Sequence, residues 1–185
     1  MAGSISPELS LVRVLQHACS GELAAGFAYR GHAGSVSSSR EREQLLLIES
    51  EEWHHRRLVQ ELLAQLGSRP RPVRECVFWA IGKCIGMLCY IGGWFIPMYG
   101  AGRLERWNIQ EYKMAAQFAH EANHGEMVDC LLTMAEVEWE HERYFRERIA
   151  GHFLRHIFRV WEPPPPKESI RNPIKMHCYG RTATR

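Results

Sequence analysis

The chain has 185 residues, which is long enough for one domain with its own hydrophobic core and needs no disulfide framework. Its 23 Lys and Arg residues nearly balance its 21 Asp and Glu residues, so no nucleic-acid partner is expected. The six cysteines form no Cys-x-x-Cys pair, which argues against a zinc knuckle and an attached rubredoxin-type iron centre.

The first predicted helix begins near Ser6 and runs to about Ala33. Ser6 can cap the helix, and the proline that follows suits a first turn. Apolar residues then recur at helical spacing. Glu22 lies beside this apolar stripe, where a carboxylate is costly unless it is paired or bound to a metal. Glu22 is therefore a candidate metal ligand.

The second predicted helix covers about residues 39–66 and ends before a Gly-Ser-Arg-Pro turn. Glu52 and His55 continue its apolar face, and three residues separate them, so both side chains can address one point. Taken alone, this helix would favour a solvated acidic face with chance histidines. Rival candidates lie in the same segment: Glu49, Glu51 and His54.

Residues 76–104 form the most apolar stretch of the chain. Its length approaches a bilayer span, but Lys83, paired glycines and Pro97 interrupt the pattern. We expect residues 77–98 to be a buried crossover with interfacial contact rather than a true span, because an interrupted single span fits badly inside a bundle. The small-residue spacing of Gly82 and Gly86 permits close helix packing.

Two further helices are predicted at residues 101–121 and 126–153. The first of them carries Glu105 and Tyr112, with Glu111 as the competitor of Glu105. The second carries Glu138 and His141 on its apolar side. The remaining glutamates of that helix are predicted to lie on its wet face, in ion pairs with arginines: Glu136, Glu140, Glu142 and Glu147.

The composition changes after Trp161. Four prolines, residues 163–166, predict a stiff extended spacer, and the basic segment beyond them is poor in apolar residues. We therefore divide the chain into a helical bundle at residues 1–161 and a Pro-rich basic tail at residues 162–185. A tail that lies over the bundle or is disordered is favoured over one attracted to an anionic membrane surface.

One pattern occurs twice in the chain: Glu-x6-Tyr followed by Glu-Trp-x-His. Two Glu-x-x-His helices and two helices with one Glu each are the ligand inventory of a di-iron or di-manganese four-helix bundle. Four carboxylates also match the charge of two divalent metals. The hydroxyls of Tyr29 and Tyr112 either support these ligands or belong to core aromatic residues. The predicted catalytic and metal-binding residues are Glu22, Glu52, His55, Glu105, Glu138 and His141.

On these six positions, and on the apolar segment that starts at Phe78, residues 8–155 resemble the ferritin-like di-iron superfamily, which includes rubrerythrins and bacterioferritins. The closest likeness is to the demethoxyubiquinone hydroxylase family of quinone biosynthesis. The resemblance implies an all-α fold, a ferritin-like four-helix bundle with a hydrophobic crossover between its second and third helices. It also implies two iron ions, with manganese or a mixed pair as the alternative, and membrane docking near a hydrophobic quinone.

Three functions are consistent with this sequence. The first is a di-iron oxidoreductase that activates dioxygen, takes electrons from an external donor and hydroxylates a hydrophobic, quinone-like substrate, as a monooxygenase of ubiquinone biosynthesis does. The second is a ferroxidase or peroxide-reducing, iron-handling protein. The third is a non-catalytic bundle that binds metal or lipid. Because residues 1–8 lack a secretion signal, we expect a cytoplasmic protein. We also expect a homo-oligomer, and the apolar segment at residues 77–98 allows peripheral contact with a membrane surface.

Overall fold

The computed structural model describes residues 6–172, which fold entirely into helices and connecting segments without a strand. This confirms the predicted all-α class. Ser6 accepts a hydrogen bond from the backbone N–H of Leu9 at 3.2 Å, as its predicted capping role requires. The five α-helices are α1 (Pro7–Ser35), α2 (Ser39–Gln65), α3 (Pro72–Leu88), α4 (Phe95–Glu121) and α5 (Gly125–Ala150), and two short 3₁₀ helices follow at Phe153–His156 and Lys167–Ser169.

The apolar stretch is more helical than its sequence indicated. Residues 72–88 form α3, and α4 begins at Phe95 instead of near residue 101. Pro97 does not prevent this early start, because the first turn of a helix does not need the N–H that proline lacks. The added turn places Phe95 and Met98 in the core.

Two apolar clusters form the interior, where α1 packs on α2 and α4, and α5 packs on α4 and α2. One cluster contains Leu15, Leu63 and Tyr112, and the other contains Tyr29 and Phe145. Each tyrosine donates a hydrogen bond from its cluster to a buried glutamate. The predicted ligands therefore lie between the two buried apolar clusters.

Helix α3 approaches α1 closely through glycines. A Cβ atom at Gly82 would lie 2.5 Å from the carbonyl oxygen of Ala24, and one at Gly31 would overlap the backbone of Gly86. The close packing suggested by the spacing of Gly82 and Gly86 is thus present. The outer face of α3 is apolar and exposed, and none of the helices in residues 6–172 combines the length and hydropathy needed to cross a membrane.

We expect Gly31→Ala to lower the free energy of unfolding by about 1–3 kcal/mol, because the new methyl group must push α3 away from α1. Gly21→Ala is the matched control in the same helix. No atom lies within 4 Å of its Cβ position, so the gain in helix propensity should raise stability by about 0.5–1 kcal/mol. Urea denaturation of both variants measures the difference, and equal changes would contradict the close approach.

The segment after α5 folds back along that helix. Trp161 is buried and its Nε1 donates to Glu142 at 2.6 Å, while the Nε1 of Trp139 donates to the Pro165 carbonyl at 2.9 Å. Ile170 joins the core cluster that contains Tyr112. The prediction that Glu142 lies on a wet face is therefore wrong, because Trp161 covers it. The rest of the basic tail, residues 173–185, lies outside the described residues.

Candidate metal centre

The structure brings all six predicted ligands together, from four different helices. One group consists of Glu22, Glu52, His55 and Glu138, and a second group consists of Glu52, Glu105, Glu138 and His141. Within each group, one ligand atom per residue can be chosen so that all of them lie within 4.8 Å of one another. Glu52 and Glu138 belong to both groups. This arrangement could hold two metal ions that share two carboxylates.

Helix geometry accounts for these positions. Glu52 and His55 lie three residues apart on α2, and Glu138 and His141 lie three residues apart on α5, so each pair projects from one face. Glu22 comes from α1 and Glu105 from α4. All six side chains are buried, and burial of so many ionisable groups requires charged partners, metal ions or bound protons.

Several buried polar atoms of the six predicted ligands have no hydrogen-bond partner. Seven buried side-chain nitrogen or oxygen atoms in residues 6–172 lack a hydrogen-bond partner, and five of them belong to the six ligands. These five are Glu22 Oε2, both carboxylate oxygens of Glu52, Glu138 Oε2 and His141 Nδ1. Such atoms are rare in folded proteins and each costs about 1–3 kcal/mol. Cations at the centre would satisfy all of them, so the residues fit a pair of metal ions.

Both histidines turn Nδ1 toward the carboxylates. Nδ1 of His55 lies 2.8 Å from Glu138 Oε1, and Nδ1 of His141 lies 3.2 Å from Glu52 Oε1. The opposite nitrogen of His141, Nε2, lies 2.7 Å from Glu51 Oε2. The two Nδ1 atoms are therefore the nitrogen ligands that the centre offers.

The carboxylates crowd one another electrostatically. Burial and the neighbouring negative charges raise the pKa of Glu52 and Glu105 well above the ordinary value, and burial also raises the pKa of Glu22. Burial would raise the pKa of Glu138 too, but the adjacent Glu105 carboxyl and the two histidines lower it well below its ordinary value. Metal-free, the centre therefore holds protons where cations would otherwise balance the charge.

Each of the two tyrosines forms a hydrogen bond with the glutamate of the other copy of the Glu-x6-Tyr pattern. Tyr29 donates its hydroxyl to Glu105, and Tyr112 donates its hydroxyl to Glu22. A residue seven positions along a helix is about 10 Å away, too far to reach its own glutamate. The packed neighbouring helix brings the other glutamate into range. Both hydroxyls therefore support predicted ligands across a helix interface.

We expect Tyr29→Phe to lower the unfolding free energy of metal-free protein by about 1–3 kcal/mol. Glu105 loses one of its two donors and keeps Asn108, while the ring stacking on Phe145 remains. Tyr144→Phe is the control. The hydroxyl of Tyr144 is buried without a partner, so its removal should be neutral or stabilising. Chemical denaturation in the presence of a chelator compares the two, and a costlier Tyr144→Phe would overturn the expectation.

The rival residues have other partners. Glu111 pairs with His17 at 2.6 Å, and Glu49 binds Arg30 and the Nε1 of Trp53. Glu51, which the sequence presented only as a rival ligand, contacts the centre through His141. The position of Glu51 next to Glu52 in the sequence indicated that it could lie near the centre. Only the packing of α5 on α2 shows that it contacts His141.

Comparison with known proteins adds nothing to this geometry. No protein-family model, curated protein or solved structure matches the chain. The chemistry of the centre is therefore argued from its six buried side chains, their unpartnered atoms and the residues around them.

Proposed function

We propose that this protein is a ferritin-like di-iron oxidoreductase, built on a four-helix bundle of α1, α2, α4 and α5 in which α3 belongs to the crossover. The observation that carries the proposal is the pair of overlapping ligand groups that share Glu52 and Glu138. Glu22 and His55 complete one metal position, and Glu105 with His141 completes the other. Manganese, or a mixed pair, is the alternative to iron.

The charge and donor set suit this chemistry. Four carboxylates balance two divalent cations, and mixed oxygen and imidazole ligands suit iron and manganese. Bound metal ions would supply the electrons that reduce dioxygen or peroxide. The protein's own part is to hold the carboxylates with Tyr29 and Tyr112, and to keep water away with the two apolar clusters.

For the reaction, we propose hydroxylation of a hydrophobic, quinone-like substrate, as in ubiquinone biosynthesis. One oxygen atom of dioxygen enters a C–H bond and the other leaves as water, with two electrons from an external donor and two protons. The apolar outer surface of α3 and the turn after it supports contact with a membrane that contains such a substrate: Met87 is 70% exposed and Ile91 is 80% exposed.

A second function, ferroxidase or peroxide reduction, is favoured by the surface near His141. A groove of about 340 Å³ between α2 and α5 is lined by His141 and by charged residues that include Glu51, Arg143 and Lys167. A groove of this polarity suits Fe(II) or peroxide better than a quinone. The third candidate is a bundle that binds metal or lipid without catalysis.

The deciding experiment is an anaerobic Fe(II) titration of metal-free protein followed by a pulse of oxygen. Saturation at two irons per chain, with a charge-transfer absorption band after oxygen, supports the di-iron oxidoreductase. Binding of quinone analogues and anionic vesicles then favours the hydroxylase, whereas a large spherical assembly on sizing favours the iron-handling protein. Two metals without an oxygen reaction favour the non-catalytic bundle, and saturation below two contradicts the di-iron centre.

A further inference from the structure

Glu51 forms a hydrogen bond with the outer nitrogen of His141, and His55 has no corresponding carboxylate among the described residues. We propose that Glu51 positions the His141 ring and makes the two metal positions unequal, so that the position of Glu105 and His141 binds metal more tightly. This inference deepens the proposed di-iron function and rests on it. Glu51 acts through His141 and is a positioning residue, not a ligand.

The contact is direct. His141 is 3% exposed, its Nε2 lies 2.7 Å from Glu51 Oε2, and its Nδ1 faces Glu52. A ring nitrogen that binds metal must be free of its proton, so the proton on the opposite nitrogen has to be held by another group. The Glu51 carboxylate accepts the Nε2–H bond, which fixes the ring with Nδ1 turned inward.

The two repeats differ at this position. The residue before Glu-Trp-x-His is Glu51 in the first copy and Val137 in the second. Among the described side chains, His55 forms a hydrogen bond with Glu138 alone, and through Nδ1, the atom that would bind metal. Outer carboxylates raise the basicity of a metal-binding imidazole and hold its orientation. One histidine of the centre has such a carboxylate and the other does not.

The chain offers a matched control. Glu51 and Glu140 both line the groove between α2 and α5, and each side chain is 37% exposed. Glu140 pairs with Lys167 at 2.9 Å and with Arg143 at 2.6 Å instead of a ligand. The variants Glu51→Ala and Glu140→Ala therefore remove the same chemical group from the same surface.

Calorimetric titration with Co(II), which stays divalent in air, tests the inference. Wild type and Glu140→Ala should bind two ions in two steps, and Glu51→Ala should lose about 10- to 100-fold of affinity in the tighter step. If Glu51→Ala binds both ions as wild type does, the positioning role is overturned and the metal centre stands. If wild type binds no ion, the proposed function fails, and this inference fails with it.

A second readout does not depend on affinity. In protein labelled with ¹⁵N-histidine, the Nε2–H proton of His141 should exchange slowly with water in wild type and Glu140→Ala. In Glu51→Ala that signal should be lost, while the circular dichroism melting curve shows that the variant still folds. A protected signal that persists in Glu51→Ala would mean that another group accepts the bond, which overturns the role of Glu51.

Discussion

Glu52→Ala is expected to remove binding at both metal positions, because Glu52 is shared by the two ligand groups. The loss should exceed the roughly 10- to 100-fold that removal of an outer partner of a ligand costs. Fe(II) or Co(II) titration should therefore show no saturable step at concentrations that fill wild type. Glu22→Ala, which affects one group only, should retain binding at the position of Glu105 and His141.

Glu49→Ala is the control for Glu52→Ala. Glu49 lies three residues earlier on α2 and is also buried, but it bonds Arg30 and Trp53 and belongs to neither ligand group. Its replacement should lower stability and leave two metal ions bound. A Glu52→Ala protein that still binds two ions would contradict the shared role of Glu52, and with it the dinuclear arrangement.

The second large effect is a loss of stability of metal-free protein as pH rises from about 5 to 8. The pKa of Glu22, Glu52 and Glu105 is raised in the folded state, chiefly by burial, whereas an unfolded glutamate ionises near 4.5. Between these values the folded state holds protons that the unfolded state has released, so stability falls with pH. Each such group contributes up to about 1.4 kcal/mol per pH unit.

The other ionisable groups of the centre do not reverse this trend. The lowered pKa of Glu138 acts below 4.5, where its contribution is lost as pH falls. The pKa of His55 and of His141 is raised above 6.5 because the neighbouring carboxylates, Glu138 for both rings and also Glu51 for His141, outweigh burial. Stability from these groups is also lost as pH rises. The raised glutamates therefore act from about pH 5 upward, and the two histidines act in the same direction only above 6.5. Outside the centre, burial lowers the pKa of His32 to about 4, so His32 opposes this trend only below 6.5.

Bound metal should reverse the pH dependence, so that the stability of the protein rises with pH. Binding requires ionised carboxylates and unprotonated Nδ1 atoms, so affinity and the stability it adds increase with pH. Urea denaturation at pH 5, 6, 7 and 8, with chelator or with Co(II), should give curves of opposite slope. Glu52→Gln removes one of the groups that ionise and should make the metal-free curve less steep. A metal-free stability that is level or rises from pH 5 to 8 would contradict the buried carboxylate cluster.

The spacing of residues along the sequence was sufficient to predict the helices and the two Glu-x-x-His pairs. The spacing of Glu52 and His55, and of Glu138 and His141, places each pair on one face of a helix wherever that helix packs. Capping at Ser6 and the apolar stripes indicated where helices run. Such features depend on residues within a few turns of one another, and the all-α class follows from them.

Contacts between helices were decided only by the tertiary structure. Which glutamate each tyrosine reaches depends on how far α4 is offset along α1, and the contact of Glu51 with His141 depends on the rotation of α5 against α2. Trp161 buries Glu142 because the chain turns back after α5. Helix offset, rotation and chain reversal arise from packing between residues distant in sequence, so no local pattern contains them.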